Sequence, residues 1–127
     1  MSRLASNCSN VHDRFASVSA IMANPPHPES VEAMAARLRL IRIGYGKAQG
    51  FAGEMSQAEL CRLTGIGRAA WNNAETGDGR IGIDNAMKLA RKTGAGLNYI
   101  FRGDEADLAH ALGVQIQKLV QIKPKRA

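Results

Sequence analysis

The stretch QAELCRLTGIGRAAWNNAET, residues 57–76, predicts two short helices joined by a tight turn. Gly65 stands where the chain must turn sharply, because glycine adopts positive φ without steric cost. Apolar residues occur where two crossed helices need contacts, at Leu60, Ile66, Trp71 and Ala74. The segment therefore predicts a pair of packed helices.

The first helix of this pair has a clear start signal. Ser56 is a natural N-cap, and Glu59 three residues later completes an S/T-x-x-E capping box. We therefore expect the helix to begin at Gln57.

The second helix has an apolar face and a polar face. Trp71 and Ala74, three residues apart, point inward, and we expect Trp71 to pack in the core rather than stack on a base. The outward face is short and polar, and consists of Arg68, Ala69, Asn72, Asn73 and Thr76.

A recognisable order of residues runs through the pair. Ser56-Gln57 starts the first helix, Cys61 stands within it, Gly65 turns the chain, and Glu75-Thr76-Gly77 ends the second helix. This order resembles the helix-turn-helix of the lambda-repressor-like (Cro/cI, XRE-type) family, with Cys61 in a position that is usually alanine. Residues 83–89 and 94–101 are similar to that family's closing helices.

The resemblance implies an all-α fold, a compact five-helix DNA-binding domain that contains a helix-turn-helix. We assign it to residues 30–103, between a flexible leader (1–29) and a C-terminal amphipathic segment (104–127). The implied function is sequence-specific binding of double-stranded DNA by a transcriptional regulator, a repressor in first expectation, in bacterial or phage-infected cytoplasm. The alternative is an antitoxin, or another protein-interaction component, with the same fold and a protein partner such as a toxin. A third interpretation keeps the fold without DNA binding.

The resemblance places the second helix of the pair in the major groove, where its outward residues meet base edges. Arg68 is the candidate for bidentate contact to guanine, and Asn72 or Asn73 can pair with adenine. Ala69 offers a methyl group for contact with thymine. Arg68 is the single basic residue on this face. This low positive charge supports the third interpretation, in which the fold does not bind DNA.

Other residues are candidates for contact with the phosphate backbone. Gln57 matches the family position that clasps a phosphate at a helix start, where amide groups already favour anions. Thr76, Gly79 and Arg80 would extend this contact, and Lys47 could reach a phosphate from a preceding loop. Arg42 and Glu75 match positions that form a structural ion pair in the family.

The leader is rich in Ser, Asn and Ala and ends in the cluster Pro25-Pro26-His27-Pro28. Residues 11–23 could form a transient helix, and Met22 is an alternative start. Serines interrupt the mildly apolar run in this region, so we expect no secretory signal.

The first helix of the domain is expected after Ser30, with an apolar stripe at Val31, Met34, Leu38 and Ile41. Residues 44–54, GYGKAQGFAGE, predict a flexible loop with Phe51 tucked against the bundle. No G-K-[ST] follows the glycines, so we do not assign a nucleotide-binding loop.

A fourth helix is expected after Gly82, with Ile83, Met87 and Ala90 facing the core and Gly94 closing it. Its basic residues are interpreted as a solvated face: Lys88, Arg91 and Lys92. Residues 97–101 supply a last helical turn of core.

The C-terminal segment allows two interpretations. One helical face fits Leu108, Leu112, Ile116 and either Leu119 or Val120, whereas a strand would alternate Val114, Ile116, Val120 and Ile122; we favour the helix. Its apolar stripe suggests a partner surface, most simply a second copy of the chain, so that we expect a homodimer. The alternative is that the stripe folds back on its own bundle.

Composition agrees with a DNA-binding protein without proving it. The net charge is +6, and residues 30–103 hold eleven basic and six acidic residues. The two cysteines and three histidines lack zinc-like spacing and form no pattern of nucleophile and base: Cys8, Cys61, His12, His27 and His110. We expect no enzymatic activity, metal or cofactor, and no membrane-spanning segment.

Overall fold

Six α-helices and one 3₁₀ turn form the part of the chain that the computed structural model describes, residues 27–126, with side chains described as far as Gln121. The helices are α1 (Val31–Ala48), α2 (Gln57–Thr64), α3 (Arg68–Thr76), α4 (Ile83–Thr93), α5 (Leu97–Arg102) and α6 (His110–Arg126), and the 3₁₀ turn is Glu105–Asp107. These residues include no strand, only an isolated bridge between Ala95 and Leu108. The expected all-α class is therefore confirmed for them.

Serine side chains start α1 and α2 as predicted. Ser30 Oγ accepts a hydrogen bond from Ala33 N, and Ser56 Oγ accepts one from Glu59 N, each at 3.1 Å. The Glu59 carboxylate, however, accepts hydrogen bonds from Arg62. The N-cap at Ser56 is thus confirmed. The second half of the predicted capping box is not, because the Glu59 carboxylate bonds to the Arg62 side chain.

The turn between α2 and α3 follows the prediction. Gly65 has φ of +84°, in the left-handed region, and its N–H donates to Cys61 O at 2.8 Å. The apolar residues predicted to face inward are all buried: Leu60, Ile66, Trp71 and Ala74.

The first helix is longer than predicted, because α1 continues through Gly44 and Gly46 to Ala48. A Cβ atom on Gly46 would lie 2.8 Å from Met55 Cβ, and one on Gly44 would lie 3.1 Å from the Ile116 side chain. Glycine costs a helix about 0.5–1 kcal/mol relative to alanine. These two glycines permit close packing, so interpreting them as loop residues was wrong.

Phe51 is also placed differently from the prediction. Its backbone N–H donates to Gly46 O at 2.9 Å, but the residue is 39% exposed and is not tucked against the bundle. The connection between α1 and α2 begins only after Ala48, so Phe51 lies near its start, next to the end of α1.

The helix α4 presents a different face to the core from the one predicted. Ala86, Leu89 and Thr93 are buried, while Ile83 is 56% exposed and Met87 is 42% exposed. Thr93 tolerates burial because its hydroxyl donates to Leu89 O at 2.8 Å. The assignment of Ile83, Met87 and Ala90 to the core was therefore wrong by about one residue step around the helix.

The C-terminal segment is helical, as favoured, but its apolar stripe is covered by the same chain. Leu112 and Ile116 are buried in the shared core and pack against Gly44 of α1. Leu108 precedes the helix and forms the bridge with Ala95. The two central residues of the stripe thus belong to the bundle and are not a free partner surface.

No helix among residues 27–126 has the length and apolar character needed to cross a bilayer. The predictions for residues 1–26, which include most of the leader and Met22, lie outside the described part of the chain.

Candidate nucleic-acid interface

The outer face of α3 brings together the four residues predicted to contact bases. Arg68, Ala69, Asn72 and Asn73 are all exposed, because positions i, i+1, i+4 and i+5 share one side of a helix. The side chains of Arg68, Asn72 and Asn73 make no hydrogen bond to any other residue within the described range 27–126. Their donors and acceptors are therefore available to a ligand.

The inner face of α3 is fixed by the core. Trp71 is fully buried, as predicted, and Ala74 beside it is nearly so. The indole Nε1 of Trp71 donates a hydrogen bond of 2.6 Å to Glu75 Oε1. The rotation of α3 about its axis, and hence the direction of its polar face, is set by these contacts.

Glu75 connects three helices through a single carboxylate. Its Oε1 accepts from Arg42 Nε at 3.0 Å and from Gln57 Nε2 at 3.1 Å, and its Oε2 accepts from an Arg42 terminal nitrogen at 2.5 Å. Arg42 also donates to Met55 O. Both charged side chains are buried, so this pair is a structural feature that positions α3 against α1 and α2.

Gln57 lies at the first position of α2, as the sequence predicts, but its side chain already has a partner. The residue is half-buried and its amide donates to Glu75. The Gln57 side chain is thus positioned by the buried ion pair, and its oxygen and second N–H bond remain for other contacts.

Three of the other side chains predicted to contact phosphate donate hydrogen bonds to backbone carbonyl oxygens of the protein. Thr76 Oγ1 donates to Asn72 O at 2.9 Å, within α3. Arg80, which is exposed, donates to Glu29 O at 2.6 Å, and Lys47 Nζ donates to Ala52 O at 3.1 Å. Gly79 lies half-buried in the loop after α3. The structure therefore places Thr76, Gly79 and Arg80 at the C-terminal side of α3, and Lys47 at the end of α1.

Lys88 is a cation beside the candidate interface. From the sequence we interpreted it as part of a solvated face. Its Nζ lies 3.3 Å from Gly65 O, the turn immediately before α3. The pairing joins residues of α4 and of the α2–α3 turn, so no local sequence signal indicates it. Lys88 adds positive charge next to the N-terminal end of α3.

Cys61 is a core residue. Its thiol is buried, and burial raises its pKa above the ordinary value, although Arg68 and Arg42 oppose this effect. The thiol is therefore neutral near pH 7 and behaves as a small apolar group in α2. In the described range 27–126, no three His, Cys, Asp or Glu residues are grouped so that they could hold a metal ion.

Comparisons of the chain with protein-family models, with curated proteins and with solved structures found no match.

Proposed function

We propose that this chain is a lambda-repressor-like helix-turn-helix protein that binds double-stranded DNA in a sequence-specific way and regulates transcription, with repression as the expected sign. The observation that carries the proposal is the outer face of α3. It presents an arginine and two asparagines that are exposed and unengaged within residues 27–126, on a helix whose other face is locked into the core.

These residues have the chemistry of direct base readout. The major groove admits one α-helix, and the N-terminal part of a recognition helix meets the base edges. Arg68, at the first position of α3, would donate two hydrogen bonds to guanine, and Asn72 would pair with adenine. Each such pair contributes about 1–3 kcal/mol of discrimination against a wrong base. Asn73 and Ala69 would extend the contact on either side.

Phosphate contacts would fix the register of the helix in the groove. Gln57 is positioned at the start of α2 by Glu75, and Lys88 lies at the α2–α3 turn. Arg80 and Lys47 would exchange their backbone carbonyl partners for phosphates, which are stronger acceptors. The net charge of +6 supports association with DNA. A DNA-binding regulator of this kind would act in bacterial or phage-infected cytoplasm.

The proposal is tested by selecting bound fragments from a random duplex library with the full chain. Wild type and Arg68→Ala are compared at about 0.1–0.2 M salt, where non-specific attraction is already weakened. The matched control is Arg62→Ala, because Arg62 is also exposed but lies on α2 in a pair with Glu59.

We expect wild type and Arg62→Ala to enrich the same motif, and Arg68→Ala to lose a guanine preference at one position of each half-site. Absence of any enriched motif, with binding that simply fades as salt rises, would contradict sequence-specific recognition. An unchanged motif in Arg68→Ala would remove Arg68 from the base-contacting set.

A further inference from the structure

One face of α4 carries two exposed apolar residues beside two charges of opposite sign. Ile83, Asp84, Met87 and Arg91 are all exposed, and their spacing puts them within about a third of a turn of one another. The buried residues Ala86, Leu89 and Thr93 lie on the opposite side. We call this surface, defined by Ile83, Asp84, Met87 and Arg91, the α4 face.

Two copies of the α4 face are complementary to each other when the two helices pack antiparallel. If two copies of α4 pack antiparallel with the two Met87 side chains at the centre, residue 83 of one copy lies opposite residue 91 of the other. Asp84 then lies beside Arg91 of the second copy, and the pairing occurs twice because a two-fold interface repeats each contact. Ile83 of one copy packs on Met87 and on the aliphatic stem of Arg91 of the second copy.

The charges within α4 support this arrangement. Within residues 27–126, neither Asp84 nor Arg91 takes part in an ion pair. The acidic residue stands in the first turn and the basic residue in the last turn. An antiparallel pair therefore brings opposite charges together at both ends, whereas a parallel pair would bring like charges together.

We propose that the α4 face binds the α4 face of a second copy of this chain, forming a two-fold homodimer centred on Met87. This site replaces the C-terminal stripe expected from the sequence, whose central residues are buried in the bundle. The proposed dimer does not depend on DNA binding, because the α4 face is exposed in the free protein.

A single helix pair buries less than the roughly 1,200–2,000 Å² of a stable interface, so the dimer is weak in free solution. We expect it to form in the high micromolar range. If the proposed function holds, two copies on adjacent half-sites would be held at about millimolar effective concentration, where the contact is occupied.

Disulfide trapping locates the two-fold axis. Met87→Cys is made in a Cys8→Ser background, so that the only other thiol is the buried Cys61. At a close helix crossing the facing Cα atoms lie about 4–6 Å apart, which suits a disulfide. We expect a covalent dimer on mild oxidation. The matched control is Val114→Cys on α6, where the native residue is 38% exposed, and it should remain largely monomeric.

A charge exchange tests the predicted partners. Asp84→Arg and Arg91→Asp should each weaken self-association about tenfold by sedimentation equilibrium, because each replaces two attractions by two repulsions. The double variant should restore it, since the pairs are reversed together. Circular dichroism checks that all variants remain folded.

A monomer at every concentration up to millimolar would overturn the proposal, as would a double variant no better than the single ones or equal trapping at positions 87 and 114. Association that needs a different protein would also overturn it. Neither assay contains DNA, so failure here is separate from failure of the fragment selection.

Discussion

Arg42 and Glu75 form a buried ion pair that joins α1 to the C-terminal end of α3. The side chains are 8% and 6% exposed, and the carboxylate also accepts hydrogen bonds from Trp71 and Gln57. A buried charge is tolerated only when its partner and hydrogen bonds are in place. The position of the proposed recognition helix therefore depends on an arginine in a different helix.

We predict that Glu75→Ala destabilises the protein by about 3–5 kcal/mol, because Arg42 is left buried without its counter-charge. Urea unfolding followed by circular dichroism measures the loss. The control is Glu59→Ala, which removes a surface pair with Arg62 and should lower the unfolding midpoint far less.

If the role of Glu75 is structural, the variant that remains folded should keep the DNA sequence preference of the wild type. A Glu75→Ala protein of equal stability but altered preference would contradict the structural role.

The glycines of α1 give a second prediction. Gly46→Ala should destabilise the protein by about 1–3 kcal/mol, because the new methyl group meets Met55 Cβ, which is attached directly to backbone. Gly53→Ala is the matched control, since a Cβ there has nothing within 4 Å. Gly44→Ala should fall between them, because its nearest neighbours are side-chain atoms of Ile116 and Leu112, at 3.1 and 3.3 Å, and these contacts are less close than that at Gly46. Equal unfolding midpoints for Gly46→Ala and Gly53→Ala would contradict close packing as the reason for Gly46.

Local signals in the sequence were sufficient for α2, α3 and the turn between them. Serine caps and Gly65 act on their own neighbours, so their effects are visible without the fold. The face of α4 that is buried was not predictable in this way, because Ile83 with Met87 and Ala86 with Leu89 both have the spacing of an apolar helical face. The choice between them is made by packing against other helices, which overrides local preference.

The candidate site was likewise predictable only in part from the sequence. The outer face of α3 followed from helical periodicity around Trp71 and Ala74. The carboxylate partner of Gln57 and the approach of Lys88 to Gly65 join different elements. Such contacts depend on tertiary geometry, and a single sequence holds no signal for them.

The C-terminal helix gives a third prediction. Ile116→Ala should destabilise the monomer by about 2–4 kcal/mol, because Ile116 is buried against α1. Val114→Ala on the same helix should change stability by less than about 1 kcal/mol, since that side chain is partly exposed already. Unfolding and sedimentation are measured together. A change in oligomeric state without loss of stability would instead return the stripe to a partner role.

Gln57 gives a fourth prediction that separates backbone contact from base reading. Gln57→Ala should weaken binding to all duplex sequences by a similar factor, because a phosphate contact holds no sequence information. The selected motif should remain that of the wild type, and stability should fall by about 1 kcal/mol through loss of the hydrogen bond to Glu75. Gel-shift titrations of a selected and a scrambled duplex measure both. Loss of affinity for the selected duplex alone would place Gln57 on a base.

Tyr99 provides a pH-dependent test of the core. The residue is 3% exposed, and burial raises the pKa of its phenol to about 12, against an opposing effect of Arg37. Below pH 10 the phenol is neutral in the folded and unfolded states, so stability does not depend on it. Between about pH 10 and 12 the unfolded chain ionises first, and stability should fall by up to about 2–3 kcal/mol.

Tyr99→Phe removes the titrating group and should reduce this alkaline loss, whatever its effect on stability at neutral pH. Urea unfolding of both proteins from pH 8 to 11 gives the two slopes, and their difference removes the contribution of lysines and of Tyr45. Absorbance at 295 nm should show a phenol in the native protein that ionises only near pH 12 or on unfolding. Parallel pH profiles for wild type and Tyr99→Phe would contradict a buried neutral phenol at this position.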